Sequence, residues 1–180
     1  MLISAENSVL LIVDIQQRLV PAIPQVDVLV AHNVWLARIA GRLAVPIIAT
    51  EQYPAGLGPT LPEVAACVPP ASIVDKIHFS AIPDGCLAPL PGFDRDCVVL
   101  TGMETHVCVL QTALDLLALG KKVYVVAECV GSRRPEDRAL ALERMRQEGC
   151  RIVSREMVAF EWLRRAGTEA FRQISREFLR

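Results

Sequence analysis

Cys97-Val98-Val99-Leu100-Thr101-Gly102-Met103-Glu104-Thr105-His106-Val107-Cys108-Val109 is the stretch that decides the fold of this chain. Its first four residues form an apolar run with the length and β-branched content of a buried strand. The absence of polar alternation implies a strand covered on both faces, as in a parallel sheet. From Thr105 to Leu119 the pattern reads as a helix, closed by Gly120, with Thr105 placed to act as N-cap. Cys108 then falls in the first helical turn. There the positive end of the helix dipole and the unpaired backbone N–H groups favour a thiolate, the form that attacks carbon. The other five cysteines, at 67, 86, 97, 129 and 150, have no comparable setting.

The same alternation of short apolar runs and helical segments extends in both directions. Ser8-Val9-Leu10-Leu11-Ile12-Val13-Asp14 reads as the first strand, ending in a carboxylate, and Val26 to Leu43 as a helix. Val45-Pro46-Ile47-Ile48-Ala49-Thr50 is the second strand, and Ser72-Ile73-Val74-Asp75-Lys76 a short third one. A short helix lies near Pro62 to Ala66, and the Pro- and Gly-rich segment after the third strand, up to Gly92, is irregular. The fourth strand ends at Gly102. Lys122 to Glu128 is the fifth, Ser132 to Glu148 a helix stopped by Gly149, and Arg151 to Ser154 the sixth. The tail from Glu156 to Arg180 carries one or two more helices. Apolar strands joined by helical crossovers predict a doubly wound, three-layer α/β/α sandwich with a six-stranded parallel sheet. In the order 3-2-1-4-5-6 the switch point lies between strands one and four, and ligands bind just beyond the carboxyl ends there. Asp14 and the turn from Gly102 to Cys108 occupy those two ends.

Composition narrows the class. A chain of 180 residues is expected to be a single domain over residues 1–180, and a formal charge of −1 argues against a nucleic-acid partner. No apolar run has the length of a membrane span and the N-terminus lacks a basic leader, so a cytoplasmic protein is expected. The six cysteines are scattered, which suits reduced thiols better than disulfides or a zinc cluster. A 52% hydrophobic content, with Ile82, Leu87 and Leu90 in a segment unlikely to form a core, predicts a homo-oligomer, a dimer or higher. Alternatively, the excess apolar content fills the large core that a sheet buried on both faces requires.

Two readings attach to each polar candidate. Asp14 is either a strand-end cap or a carboxylate whose basicity is raised by an apolar setting. Lys76 is either a solvated strand end or a fixed positive charge at a crevice. His78 and His106 are taken as lining or packing residues without a catalytic role. Gly56-Leu57-Gly58 lacks the spacing and the Lys-Ser/Thr ending of a phosphate loop, and Ile15-Gln16-Gln17-Arg18 replaces the glycines of a dinucleotide fold. No cofactor is expected.

An Asp ending strand one, a Lys after strand three and a Cys in the turn after strand four resemble the isochorismatase-like cysteine hydrolases. The matching pieces are Leu11-Ile12-Val13-Asp14-Ile15-Gln16, Lys76-x-x-Phe79-Ser80-Ala81 and Thr101 to Val109, with Asp137-Arg138 in the late helix. Thr50-Glu51-Gln52-Tyr53-Pro54-x-Gly56-Leu57-Gly58 is most similar to the isochorismatase domain-containing proteins of unassigned substrate. The resemblance implies a triad of Asp14 as base, Lys76 as electrostatic partner and Cys108 as nucleophile. It also implies a non-proline cis peptide at Met103–Glu104 that helps shape an oxyanion hole with the Cys108 N–H. Nicotinamidases of this superfamily carry an Asp-x-His metal motif in the loop after strand two. Here that loop reads Glu51-Gln52-Tyr53-Pro54, so no metal is expected.

The thiol favours a small amide-type carbon–nitrogen substrate, cleaved through a covalent thioester. A vinyl-ether hydrolase of the isochorismatase type, or a non-catalytic binding or redox module, stands as the alternative. Gln16, Tyr53, Phe79 and Met103 are the candidates for the substrate pocket.

Overall fold

Six strands lie in one all-parallel sheet, and their order sets where a ligand can enter. The computed structural model describes residues 2–179; Met1 and Arg180, the outermost residues of the N-terminal and tail readings, lie outside the described residues. The strands are β1 (Ser8–Val13), β2 (Ile47–Gln52), β3 (Ile73–Lys76), β4 (Cys97–Met103), β5 (Lys122–Gly131) and β6 (Arg151–Val153). They run in the order β3-β2-β1-β4-β5-β6. The helices are α1 (Val26–Arg42), α2 (Pro54–Leu57), α3 (Pro62–Ala65), α4 (Leu110–Ala118), α5 (Pro135–Gln147), α6 (Arg155–Leu163) and α7 (Glu169–Phe178). The chain is therefore the three-layer, doubly wound sandwich expected from its pattern, with the switch point between β1 and β4.

Strand periodicity of two divides the core into two apolar layers. Leu10, Ile12, Val99 and Val126 face α1, α3, α6 and α7, meeting Leu36, Ile39, Val64, Val158, Trp162 and Ile174. Val9, Leu11, Val13, Val98, Leu100 and Val125 face the other side, against Ala113 and Leu116 of α4 and Met145 of α5. Burial of one such aliphatic side chain contributes about 1.5–3 kcal/mol relative to exposure. Among the described residues no helix is long and apolar enough to cross a membrane.

Several boundaries differ from the sequence reading. β2 begins at Ile47, after Pro46, and continues to Gln52. β5 continues past Glu128 to Gly131, because the ladder with β4 slips between Leu100 and Gly102 and then pairs Gly102 with Val130. That extension brings the strand up to Ser132, the expected start of α5, and residues 132–134 form the connection. Pro135, with its φ preset for a first helical turn, opens the helix instead. The tail forms α6 and α7, capped by the side chains of Ser154 and Thr168. The segment from Ala81 to Gly92 is irregular, but it belongs to the core: Leu87 is 1% exposed, and Ile82 and Leu90 pack against the α4 layer. As a source of sticky surface it is ruled out.

One backbone contact fixes the switch point. Gly102 has φ of +120°, and a Cβ built there would lie 2.0 Å from the Val13 carbonyl oxygen. No side chain fits, so β1 and β4 end side by side only because residue 102 is glycine.

Candidate active site

Asp14 is the first residue beyond β1, and its backbone turns into the left-handed region with φ of +53°. The turn is held by its N–H, which donates to the Thr50 carbonyl at 3.1 Å. Its carboxylate then meets two donors. Oδ1 accepts from Thr50 Oγ1 at 2.7 Å, and Oδ2 accepts from Lys76 Nζ at 2.7 Å. The Cys108 thiol lies beside this carboxylate, near enough for each group to perturb the other. Asp14 and Lys76 side chains are both wholly shielded from solvent. The three residues expected to act together are thus gathered at the switch point, Asp14 and Lys76 in direct contact and Cys108 near enough to feel both.

Lys76 is saturated. Besides Asp14, Nζ lies 2.7 Å from Gln52 Oε1, 2.9 Å from the Phe79 carbonyl and 3.2 Å from the His78 carbonyl. An ammonium has three N–H groups, so these four acceptors leave none for a substrate. Lys76 is a buried, fixed charge rather than a solvated strand end.

Cys108 sits in a π-helical turn over Thr105–Val109, which runs directly into α4. Glu104 takes the N-cap position, without side-chain capping. Thr105, expected to cap this helix, is wholly buried, and its Oγ1 has no hydrogen-bond partner. The thiol itself differs from the low-pKa thiolate expected from its helical position. Burial, followed by the charge of Asp14, pushes it up to about 12, against a smaller opposing pull from Lys76. Desolvation outweighs the helix dipole here, and the resting sulfur keeps its proton. Burial likewise holds the Asp14 carboxyl above its ordinary value, with Lys76, Thr50 and Cys108 pulling the other way.

The outer residues sort differently from expectation. The Met103–Glu104 peptide is cis. Met103 is wholly buried in the α1 layer and so is not a pocket wall. The Glu104 carboxylate accepts from Arg133 N at 3.1 Å, Nε at 2.9 Å and Nη2 at 2.6 Å, and these bonds lower its pKa. It ties the catalytic turn to the loop after β5.

Gln16, expected in the pocket, is instead a buried clamp. Its Nε2 donates to the carbonyls of Gln52 and Gly58, at 3.0 and 2.7 Å, and its Oε1 accepts from Gln52 N at 2.7 Å. Tyr53 and Phe79 are 55% and 54% exposed, on the two loops that flank Lys76. Tyr53 helps line a cavity of about 330 Å³ with Pro54, Lys76, Ile77 and Asp84. Neither Asp14 nor Cys108 lines that space, so it does not hold a scissile bond.

Both flanking histidines are engaged elsewhere. His106 Nδ1 lies 3.0 Å from Ser132 Oγ, and His78 Nδ1 lies 2.5 Å from Asp84 Oδ1. Among the described residues no group of three or more His, Cys, Asp or Glu side chains is placed to hold a metal ion. Thr50 and Gln52, to which the sequence reading gave no site role, bond Asp14 and Lys76 respectively. They are polar residues two apart at the end of a buried strand, hence on one side of it, and that spacing was the available signal.

The isochorismatase domain model matches residues 8–157. The mouse isochorismatase domain-containing protein 2A is 39% identical over 173 residues, covering 95% of this chain and 82% of its own. The structure of MAR1 ribonuclease from Caenorhabditis elegans superposes with a TM-score of 0.92 at 32% identity, covering 100% of this chain and 93% of that one. YcaC from Pseudomonas aeruginosa, solved with hexane-2,5-diol and covalent acrylamide, gives 0.85 at 25% identity over 99% and 92% of the two chains. Carrying this fold and matching that domain over most of its length, the chain belongs to the isochorismatase family, among the isochorismatase domain-containing proteins.

Proposed function

We propose that the protein is a cysteine-dependent hydrolase of a small amide-type carbon–nitrogen bond, working through a thioester on Cys108. The observation that carries this reading is the buried Asp14 carboxylate, bonded to the Lys76 ammonium and set beside the Cys108 thiol. Family membership supports hydrolysis in general. The acrylamide named as covalent in the YcaC structure supports a reactive nucleophile on this scaffold.

The resting thiol is protonated, so attack is coupled to proton transfer. As sulfur bonds to the acyl carbon, its proton passes to Asp14, and the carbonyl oxygen takes up negative charge. Backbone N–H groups at the start of the turn, that of Cys108 included, hold the oxyanion. Lys76 has no spare N–H and acts only through Asp14. The protonated carboxyl then gives its proton to the leaving nitrogen as the C–N bond breaks. Water, deprotonated by Asp14, attacks the thioester and restores the thiol.

A panel of small amides, ureido acids, esters and a short RNA tests this. Turnover of an amide or ureido acid is expected, with an acyl adduct seen by mass spectrometry. RNA cleavage without acyl turnover would place the protein beside the ribonuclease named among its structural neighbours instead.

One surface feature and the state of the cysteines support readings of assembly and location. Tyr53, Ile77 and Phe79 are each more than half exposed, on loops joined to β2 and β3 near the triad. We take this apolar group as the contact between copies in a homo-oligomer. Light scattering at low micromolar concentration is expected to give at least twice 19.7 kDa; the monomer mass would sink the proposal. All six cysteines are free, which supports a reducing compartment such as the cytoplasm.

A further inference from the structure

We propose that Gln52 is a positioning residue that fixes the Lys76 ammonium against Asp14. The proposal rests on the Asp-Lys-Cys reading above and adds a residue to it. Lys76 Nζ has two side-chain partners, Asp14 and Gln52, each at 2.7 Å. Gln52 lies directly beside Lys76 across the β2–β3 ladder, so its side chain reaches Nζ without crossing the site.

The geometry of Gln52 is itself imposed from three directions. Its Nε2 donates to the Ile77 carbonyl at 2.7 Å, which orients the amide so that Oε1 faces Nζ. Its backbone N–H and C=O are both taken by the Gln16 amide. Gln16 also bonds Gly58, so the loop after β2 cannot shift without disturbing that clamp. Gln52 is 8% exposed and Lys76 2%, so water cannot readily replace a lost acceptor.

The consequence is directional. The charge and hydrogen bond of Lys76 both oppose the effect of burial on Asp14. Without Gln52, the acceptors left besides Oδ2 are the His78 and Phe79 carbonyls, both on the segment after β3. Nothing on the β2 side then holds Nζ in register with Oδ2, and that opposition weakens. Asp14 then keeps its proton to higher pH and cannot receive the one on sulfur. Cys108 becomes slower, and its reaction with any electrophile moves to higher pH. A role confined to holding the loop would act through the Ile77 carbonyl and predicts no such specificity.

The test is alkylation of the whole protein by iodoacetamide across a pH series, with each cysteine followed separately by peptide mass spectrometry. This readout does not require the natural substrate, so it stands even if amide hydrolysis is not found. Gln52→Met, close in shape but without the acceptor, is expected to slow Cys108 about tenfold at neutral pH. Its midpoint is expected to rise by about one unit, the same factor in free energy, while Cys67 and Cys86 change by less than about twofold. Gln52→Glu keeps an oxygen for Lys76 and loses the donor to Ile77, and is expected to stay within about threefold of wild type at Cys108. Equal loss in both variants would show that the Ile77 bond is what matters and would overturn the proposal. So would an unchanged Cys108 midpoint in Gln52→Met, or equal acceleration of all the cysteines. If Gln52→Met does not fold, the Glu variant decides alone: more than about tenfold loss at Cys108 rejects the role.

Discussion

Cys108→Ala is expected to remove hydrolysis almost completely, by about 10⁴-fold or more, while leaving the fold intact. Nothing else near Asp14 can replace the sulfur. Thr50 Oγ1 is within reach, but it is wholly buried and already donates to Asp14 Oδ1. The two nearest histidines are bonded to Ser132 and Asp84. The structural cost is small, because alanine removes only a sulfur from a site next to Val109 and Ala113 in the same apolar layer. The loss therefore belongs to chemistry, and circular dichroism and melting temperature should barely move. Intact-mass analysis supplies the second arm. Wild-type protein quenched during turnover should gain the mass of the acyl group on the peptide carrying Cys108, and the variant should gain none. Substantial activity in the alanine variant, together with its loss in Asp14→Asn, would identify vinyl-ether chemistry driven by the carboxyl alone. Reversible oxidation of Cys108 without turnover of any substrate would instead identify a redox thiol.

Lys76→Met is expected to be the most destabilising single change at the site, by about 3–5 kcal/mol near pH 8. The pair is fully buried, so removal of the ammonium leaves a carboxylate with no counter-charge and no access to water. For a protein of this size that corresponds to roughly 10 °C or more in melting temperature. The pH dependence has a definite sign. Burial already raises the Asp14 pKa and Lys76 is the chief influence lowering it, so the variant raises it further. A carboxyl with a raised folded pKa contributes stability that is present below its unfolded value and lost as pH rises through the folded one. The deficit should therefore shrink as pH falls from about 8 towards 5. Addition of Asp14→Asn to Lys76→Met should recover much of the loss, since an amide needs no counter-charge. Thermal melts of wild type, the two single variants and the double across pH measure both effects. A deficit independent of pH, or a double variant no more stable than Lys76→Met, would show that Lys76 packs rather than pairs.

The sequence by itself determined the layered fold and the placing of Asp14 beside the turn that carries Cys108. Apolar strands such as Val9 to Val13 and Cys97 to Leu100, separated by helical periods, admit few arrangements other than a doubly wound sheet. The switch-point rule then brings residues 14 and 108 to one crevice, and resemblance to a known family supplied Lys76. These conclusions rest on periodicity and on residue type at strand ends, which are properties of local sequence. Other features depend on what lies across the sheet. The Cys108 thiol is raised rather than lowered, because desolvation by the packed β1 and α4 layer outweighs the dipole of its own turn. Thr105 reads as a cap from its neighbours, yet the helix start falls to Glu104, whose carboxylate is bonded to Arg133 across the sheet edge. Gln16 reads as a pocket residue from its place after Asp14, but a backbone running 36 to 42 positions later uses its whole amide. Gln52 showed in the sequence only as a polar residue two after Thr50, for the same reason. Its function is set by an ammonium 24 residues away, and only the register of β2 with β3 puts the two side by side.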